Sequence, residues 1–156
     1  MTTNHEHYMQ LALDQAQLAA ELDEVPVGAV LVAEDGQMFA AHNALILKHD
    51  ATAHAEIEVI RKASQTMSNY RLLNSTLYVT LEPCLMCSGA IIHARIGTVV
   101  YGANDEKTGA VSSLYQALSD ERLNHQPTII SGILKEECSQ QLRDFFKAKR
   151  QAKKRG

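Results

Sequence analysis

The feature that most constrains this chain is a pair of short motifs, HAE at 54–56 and PCLMC at 83–87, each at a predicted strand-to-helix junction. The first motif brings His54 and Glu56 to the start of a helix, two residues apart. Residues two apart on a regular helix point to nearly opposite sides, so one of them would face the core without a partner. At the open first turn both side chains can approach one pocket over the helix end. The motif therefore predicts a polar pocket there.

The second motif supplies two thiols that suit a metal ion. Cys84 and Cys87 are three residues apart, so both sulfurs face the same way on a helical first turn. The N–H groups and the dipole at that helix end stabilise thiolates, which are the form that binds metal. Zinc takes sulfur and imidazole ligands, so Cys84, Cys87 and His54 form a candidate ligand set.

The number of ligands indicates the kind of zinc site. Three protein ligands leave one tetrahedral position for water, which is typical of a catalytic zinc rather than a structural one. Bound zinc lowers the pKa of such a water from about 15.7 to about 7, so the pattern indicates hydrolysis. Attack on a carbon–nitrogen bond also needs a group that moves protons. Glu56 is the candidate, because it would reach both the water and a ring nitrogen beside it.

Together the two motifs resemble the signature of the zinc-dependent cytidine and deoxycytidylate deaminase superfamily, H-x-E followed by P-C-x-x-C. Longer stretches look like the bacterial tRNA-specific adenosine deaminases, a branch of that superfamily: EVPVGAVLV, HNALILKHDATAHAEIEVIRKA, LYVTLEPCLMCSGAIIHARIGTVVYGANDEKTGA and DFFKAKR. The resemblance implies a hydrolase that converts the wobble adenosine of a tRNA anticodon, in an arginine tRNA, to inosine. It also implies one Zn²⁺ per chain and a homodimer.

The resemblance further implies roles for individual residues. His54, Cys84 and Cys87 would hold the zinc. Glu56 would protonate the ring nitrogen beside the attacked carbon and finally the departing ammonia. Six other positions would bind substrate: Asn43 (the flipped base or its ribose), Val27 (the purine face), the backbone near Ala55, Asp105 and Lys107 (the anticodon loop) and Phe145 (stacking on flanking nucleotides).

Two positions depart from the family pattern. Asn43 is followed by Ala44, where the family often has Arg, and Asp50 by Ala51, where it often has Pro. Neither is a metal or acid–base position, but Ala44 removes a candidate phosphate contact.

Other functions use parts of the same pattern. The nearest alternative is a deaminase of a free base or nucleoside, such as cytosine, cytidine or guanine, which would differ in the pocket and outer loops. A non-catalytic zinc module that binds RNA or a protein is the alternative of another class, and it would need a fourth protein ligand. A C-x-x-C pair alone is also typical of thioredoxin-like redox proteins, but that interpretation leaves His54 and Glu56 unexplained.

The periodicity of apolar residues predicts the order αββαβαβαβα and hence one α/β domain, a three-layer α/β/α sandwich with a mixed five-stranded sheet, which the resemblance makes cytidine-deaminase-like. With 156 residues, 46% of them hydrophobic, the chain can bury one such core. Residues 45–52 are expected to be a loop, and Asp35-Gly36 a hairpin turn. The predicted helices cover 5–22, 53–67, 83–95, a short stretch near 113–118 and 135–156; the predicted strands cover 24–32, 37–44, 76–81, 97–103 and 127–134.

Three local expectations concern the helices. Pro83 should lie in the first turn of the third helix, and Glu82 should cap that helix. The adjacent rings of Phe145 and Phe146 should divide between core and surface, although the pattern does not indicate which ring is exposed.

The charge is unevenly distributed along the chain. The last ten residues hold six of the fifteen basic residues and no acid, whereas the first 146 have a net charge of −9. We therefore predict a single deaminase domain over 1–146 and a basic tail over 147–156 that ends the last helix, frayed, and is either solvated or in contact with phosphates.

Composition also bounds the location. The chain begins without a secretory signal pattern and contains no apolar run of about 18 residues, which argues against a membrane partner. Three cysteines, an odd number, argue against a secreted disulfide framework. We expect a cytoplasmic protein.

Overall fold

The structure, a computed structural model, describes residues 2–155. The helices are α1 (Thr2–Glu21), α2 (Leu45–Lys48), α3 (Ala55–Met67), α4 (Leu85–Ala94) and α5 (Lys135–Arg155), with a 3-10 turn at Ala117–Ser119. The strands are β1 (Gly28–Val32), β2 (Met38–His42), β3 (Thr76–Leu81), β4 (Thr98–Ala103) and β5 (Thr128–Ser131).

The five strands form one mixed sheet in the order β2-β1-β3-β4-β5. The β1 strand pairs antiparallel with both β2 and β3, and the β3, β4 and β5 strands run parallel. The antiparallel β1–β2 pair is joined through a tight turn in which Gly36 adopts φ +90°, a conformation that favours glycine. The predicted mixed five-stranded sheet and its hairpin are confirmed.

Helices cover both faces of this sheet. Leu77 and Val79 of β3 belong to the core beneath α3 and α4, whereas Tyr78 belongs to the core beneath α1 and α5. This alternation follows from the period of two in a strand, which turns successive side chains to opposite faces. Because both faces are covered, the central strands are buried almost throughout. The predicted three-layer α/β/α sandwich is confirmed.

The α1 helix lies unusually close to the sheet at Gly28. A Cβ atom at Gly28 would lie 1.9 Å from the carbonyl oxygen of Ala12 and 2.5 Å from the amide nitrogen of Ala16. Only glycine permits this approach, so Gly28 sets the distance between α1 and the first strand.

Several element boundaries differ from the sequence prediction. The 45–52 segment contains the short helix α2, and α3 begins at Ala55 rather than 53, with His54 as its N-cap. Pro83 precedes α4 instead of lying in its first turn, because Cys84 takes the N-cap position. The starts of α3 and α4 each shift by two residues, as is usual at helix ends, whereas the sequence did not predict α2.

Two further boundaries matter for the site and the chain end. The first strand begins at Gly28 rather than 24, because Pro26 has no N–H to donate to a sheet ladder. The basic end belongs to α5, which continues through Arg155. Its last turns are rich in Ala, Lys, Arg and Gln, which are strong helix formers.

No helix within residues 2–155 combines the length and apolarity that crossing a membrane requires.

Candidate active site

The start of α3 explains how His54 and Glu56 can serve one pocket. His54 is the N-cap, with extended backbone angles of φ −67° and ψ 153°, and its side chain makes no capping hydrogen bond. Its backbone carbonyl accepts the first helical hydrogen bond, from the N–H of Glu58 at 2.9 Å. Since His54 lies outside the helix proper, the 100° rotation per residue does not separate its side chain from that of Glu56.

The start of α4 repeats this arrangement. Cys84 is the N-cap, with φ −77° and ψ 178°, and its side chain also makes no capping hydrogen bond. Its carbonyl accepts a hydrogen bond from the N–H of Ser88 at 2.8 Å, and Cys87 lies in the first turn. Two N-caps therefore keep their side-chain donor atoms free, where a Ser or Asp would bond to the backbone.

The two junctions bring three ligand-type side chains together. The Nδ1 atom of His54 lies 3.6 Å from the sulfur of Cys84 and 3.5 Å from that of Cys87, and all three ligand atoms lie within 4.8 Å of one another. A tetrahedral zinc with Zn–S of about 2.3 Å and Zn–N of about 2.0 Å would separate sulfur and nitrogen by about 3.5 Å. The donor types and their spacing therefore fit a zinc ion.

The acid–base properties of these ligands reflect their closeness. The hydrogen bond from Cys87 lowers the pKa of the Cys84 thiol to about 4, and the same contact raises the pKa of Cys87. The hydrogen bond with Cys84 raises the pKa of the His54 imidazole. The cluster thus stabilises a thiolate, which is the form that a metal requires.

Glu56 is buried against the same cluster. Glu56 is only 3% exposed, and this burial raises the pKa of its carboxyl to about 7. A carboxyl with a pKa near neutrality can both accept and donate a proton under physiological conditions. The electrostatics suit a group that moves protons.

Asn43 holds the start of α3 in place. Its side-chain oxygen accepts a hydrogen bond from the N–H of Ala55 at 2.8 Å, and its own backbone N–H donates to the carbonyl of Val27 at 3.0 Å. Asn43 thereby ties the end of β2 to both the β1 side of the site and the helix that carries Glu56.

These residues surround a cavity of about 560 Å³. Of the residues that the sequence predicts for the site, seven line it: His54, Glu56, Cys84, Val27, Asn43, Asp105 and Phe145. Cys87 is fully buried behind His54, and Ala55 is buried with its N–H bonded to Asn43, so neither is part of the lining. Lys107 is exposed beyond the rim.

The rim contains an aromatic pair from α5. Phe145 is partly buried and Phe146 is 43% exposed, and both line the cavity. Lys149, one turn further along, pairs with Asp23, and its ammonium group lies 5.7 Å from the centre of the Phe145 ring. The exposed ring is therefore Phe146, and a base entering the cavity would meet both aromatic rings.

One buried carboxylate at the cavity, Glu24, was missed by the sequence analysis. Glu24 accepts hydrogen bonds from the N–H groups of Ile46 at 3.2 Å and Leu47 at 2.9 Å, and so holds the first turn of α2. An acid at the head of the apolar stretch EVPVGAVLV was the available signal, because such a residue is rarely buried without a partner.

Glu82 does not cap α4, contrary to the sequence prediction. Its carboxylate turns toward the segment after β4, because Cys84 already occupies the N-cap. Burial would raise the pKa of Glu82, but hydrogen bonds from Ser112, Ser113 and Asp105 lower it to about 2. The carboxylate is therefore charged near neutral pH and bonded through both oxygens, which makes it unsuited to proton transfer.

Known proteins resemble this chain over nearly its whole length. Residues 3–150 match the MafB19-like deaminase family. The chain is 50% identical to the tRNA-specific adenosine deaminase of Haemophilus influenzae over 150 residues, which cover 96% of this chain and 87% of that protein. It is 45% identical to the tRNA-specific adenosine deaminase of Bacillus subtilis over 152 residues, covering 97% and 94%.

A solved structure from studies of A-to-I editing by tRNA:A34 deaminases at the wobble position of transfer RNA superposes with a TM-score of 0.84 and 46% identity, covering 87% of this chain and 99% of that one. Agreement in fold and sequence extends over nearly the whole chain and includes both junctions. This chain therefore belongs to the deaminase family, in the branch of the bacterial tRNA-specific adenosine deaminases.

Proposed function

We propose that this protein is a zinc-dependent hydrolase that deaminates adenosine to inosine at the wobble position of a tRNA anticodon, in an arginine tRNA, in the cytoplasm. The observation that carries the proposal is the meeting of His54, Cys84 and Cys87 with a buried Glu56 at one cavity, in a member of this branch. His54, Cys84 and Cys87 would hold one zinc ion per chain. When bound, zinc supplies Lewis-acid activation of a water molecule at neutral pH.

Glu56 is the proton carrier of the proposed reaction. It accepts a proton from the attacking water and donates it to N1 of adenine as the water oxygen bonds to C6. The second water proton then goes to the exocyclic amine through Glu56, the C6–N6 bond breaks, and ammonia leaves. The raised pKa of Glu56, about 7, suits a group that must alternate between both protonation states.

Val27 and Asn43, in the wall of the cavity, would bind the nucleoside. Val27 offers an apolar surface to the purine face. The Asn43 oxygen is occupied by the Ala55 N–H, which leaves its side-chain NH₂ to donate to the base or ribose. Because Asn43 is hydrogen-bonded to the residue before Glu56, this donor is placed beside the proton carrier.

Contacts to the rest of the RNA would come from the rim. Phe145 and Phe146 offer aromatic faces for splayed bases, and the exposed lysines and arginines after Phe146 offer charge to phosphates. Asp105, which lines the cavity, and the exposed Lys107 belong to the segment after β4 and would contact the anticodon loop.

We further propose that the protein acts as a homodimer. Several large apolar side chains are exposed on the surface that α4 shares with the segment after β4, and three of them, with other residues, line one shallow cavity: Leu85, Tyr115 and Leu123. A second copy would cover this surface. Sedimentation should give twice the mass of one chain, and a Leu85→Glu variant should shift the equilibrium toward monomer.

The competing functions make different predictions. A deaminase of free bases or nucleosides would turn over cytidine, cytosine or guanine without RNA. A non-catalytic zinc module would use a fourth protein ligand, and within residues 2–155 the metal-binding group consists of three.

Substrate assays test the proposed function directly. The protein should form inosine in an anticodon stem-loop with adenosine at the wobble position, and should leave free adenosine and cytidine unchanged. A stem-loop with guanosine at that position is the matched control. Turnover of a free base or nucleoside with no effect on the RNA would contradict the proposal.

The role of Glu56 is tested by Glu56→Gln, which keeps the size of the side chain and removes its ability to carry a proton. We expect about one zinc per chain, as in the wild type, with kcat reduced by about a thousandfold or more. Removing zinc with a chelator should abolish activity, and adding zinc should restore it only in the wild type. Wild-type turnover by Glu56→Gln would refute the assignment.

A further inference from the structure

The buried carboxylate of Glu82 is the centre of a dense set of hydrogen bonds. All of its partners belong to the segment Asn104–Ser113, which we call the 104–113 loop. One oxygen, Oε2, accepts from the N–H groups of Val111, Ser112 and Ser113 at 2.8–3.0 Å. The other, Oε1, accepts from the N–H of Asp105 at 3.0 Å and the hydroxyl of Ser113 at 2.5 Å, with the Asn104 amide at 3.4 Å.

The loop also packs directly on this carboxylate. A Cβ atom at Gly109 would lie 2.4 Å from Cδ of Glu82 and 2.5 Å from the carbonyl oxygen of Asp105. Next to Gly109, the N–H of Ala110 donates to the carbonyl of Pro83 at 2.9 Å. Glycine is therefore required at 109 for the loop to close over Glu82.

The loop in turn carries residues of the cavity mouth. Asp105, held through its N–H by Glu82, accepts hydrogen bonds at its own carboxylate from the N–H groups of Lys107 and Thr108 and from the Thr108 hydroxyl. Asp105 and Thr108 both line the cavity. Glu82 thus sits between the metal-ligand junction at Cys84 and the outer wall of the substrate site.

We propose that Glu82 is a positioning residue that sets the substrate-facing shape of the 104–113 loop, and that it controls the binding of the RNA rather than the chemical step. The proposal rests on the proposed function for its substrate. The proton carrier Glu56 lies in the first turn of α3, whose start is held by Asn43 and not by Glu82. Disturbing Glu82 should therefore displace Asp105 and Thr108 while the proton carrier stays in place.

Two variants test the role at different strengths. Glu82→Gln keeps the size of the side chain but turns an NH₂ group toward N–H donors of the loop. Glu82→Ala removes the carboxylate that accepts all of these hydrogen bonds. Glu34→Gln is the matched control, because the Glu34 carboxylate bonds to the Asn74 side chain and neither residue lines the cavity.

The first measurement needs no activity. Lys107 is an exposed trypsin site inside the 104–113 loop, and Arg122 is an exposed site outside it. Tryptic cleavage after Lys107 should be faster in Glu82→Gln by about tenfold, the effect of leaving one buried donor unpaired. Cleavage after Arg122 should stay at the wild-type rate. The Glu34→Gln protein should match the wild type at both sites.

The second measurement separates binding from chemistry. With the anticodon stem-loop, Glu82→Gln should raise KM by about tenfold and change kcat by less than about threefold, at one zinc per chain. Unchanged cleavage at Lys107, or a loss confined to kcat with unchanged KM, would overturn the proposal, and Glu82→Gln keeps it testable if Glu82→Ala does not fold. If the wild type leaves the RNA unmodified, the proposed function fails, and the cleavage data alone decide whether Glu82 holds the loop.

Discussion

Two helices of this protein begin at residues whose side chains make no capping hydrogen bond. Histidine and cysteine occupy N-cap positions where Ser, Thr, Asp or Asn would stabilise a helix by about 1 kcal/mol. The helices at His54 and Cys84 therefore lack the stabilisation of a side-chain cap, and an imidazole nitrogen and a sulfur remain free to bind a metal.

Cys138, the third cysteine, has the opposite character. It is 1% exposed and packs in the core beneath α1 and α5, and burial raises the pKa of its thiol to about 12 from a usual value of 9.0. A raised pKa in the folded state means that its stabilising effect is complete below pH 9 and is lost as the pH rises toward 12.

This difference gives a pH-dependent prediction. Between pH 8 and pH 10, the free energy of unfolding of the wild type should fall by about 1 kcal/mol more than that of Cys138→Ala, which lacks this buried thiol. Urea unfolding under reducing conditions, with equal metal content, measures both proteins. Parallel pH curves for the two proteins would contradict the buried, protonated thiol.

Short elements at the cavity depend on long-range contacts. The four-residue α2 is too short to be stable alone, and its first N–H groups bond to the buried Glu24. We expect Glu24→Ala to lower the free energy of unfolding by about 1–3 kcal/mol and to speed amide exchange at Ile46 and Leu47. Mass-spectrometric hydrogen exchange on this segment is the measurement. Glu21→Ala, at an exposed acid of α1, should leave exchange in this segment unchanged.

The contact between α1 and the sheet is decided by one glycine. Gly28→Ala would force a Cβ into the backbone of α1, so we expect a loss of about 3 kcal/mol or more in the free energy of unfolding. At Gly89, within α4, a Cβ would meet no other atom of the same chain within 4 Å, so Gly89→Ala should stabilise the monomer by about 0.5–1 kcal/mol. Urea titrations of the two variants side by side decide the matter. A loss of less than about 1 kcal/mol for Gly28→Ala would show that α1 does not lie as close to the first strand as described.

Charge divides the molecule into an acidic body and a basic end. Nine of the fifteen basic residues and all eighteen acids lie in residues 1–146, and the α5 helix continues across that boundary to Arg155. We propose that residues 1–146 are the deaminase domain and that residues 147–156 form a basic arm for RNA, presented by the helix.

Truncation after Lys149 tests the arm while keeping the Lys149–Asp23 pair. It removes four basic residues, Arg150, Lys153, Lys154 and Arg155. RNA affinity should fall, and the slope of log affinity against log salt should flatten by up to about 3, while the unfolding temperature changes by less than about 2 °C. Binding titrations at several salt concentrations give the slope, with Lys153→Arg/Lys154→Arg as a charge-preserving control. An unchanged slope would mean that the arm does not contact phosphates.

Much of the fold and the metal-binding group could be predicted from the sequence. Strand and helix periodicity indicated the sheet and its two helical layers, because burial on both faces leaves a local pattern. The group of His54, Cys84 and Cys87 was also predictable, because ligand type and spacing along the chain carry that information and the two junctions repeat it.

From the sequence we could predict the sandwich architecture, a group of candidate metal ligands and a candidate proton carrier, because each leaves a local pattern. Only the tertiary structure decided which ring of the Phe145–Phe146 pair is exposed, and what the buried carboxylates of Glu24 and Glu82 hold. The reason is physical: Glu82 meets Ser112 thirty positions along the chain, and Glu24 meets Leu47 twenty-three positions along. Contacts at such separations depend on how the strands and loops pack, and no local pattern of residues records them.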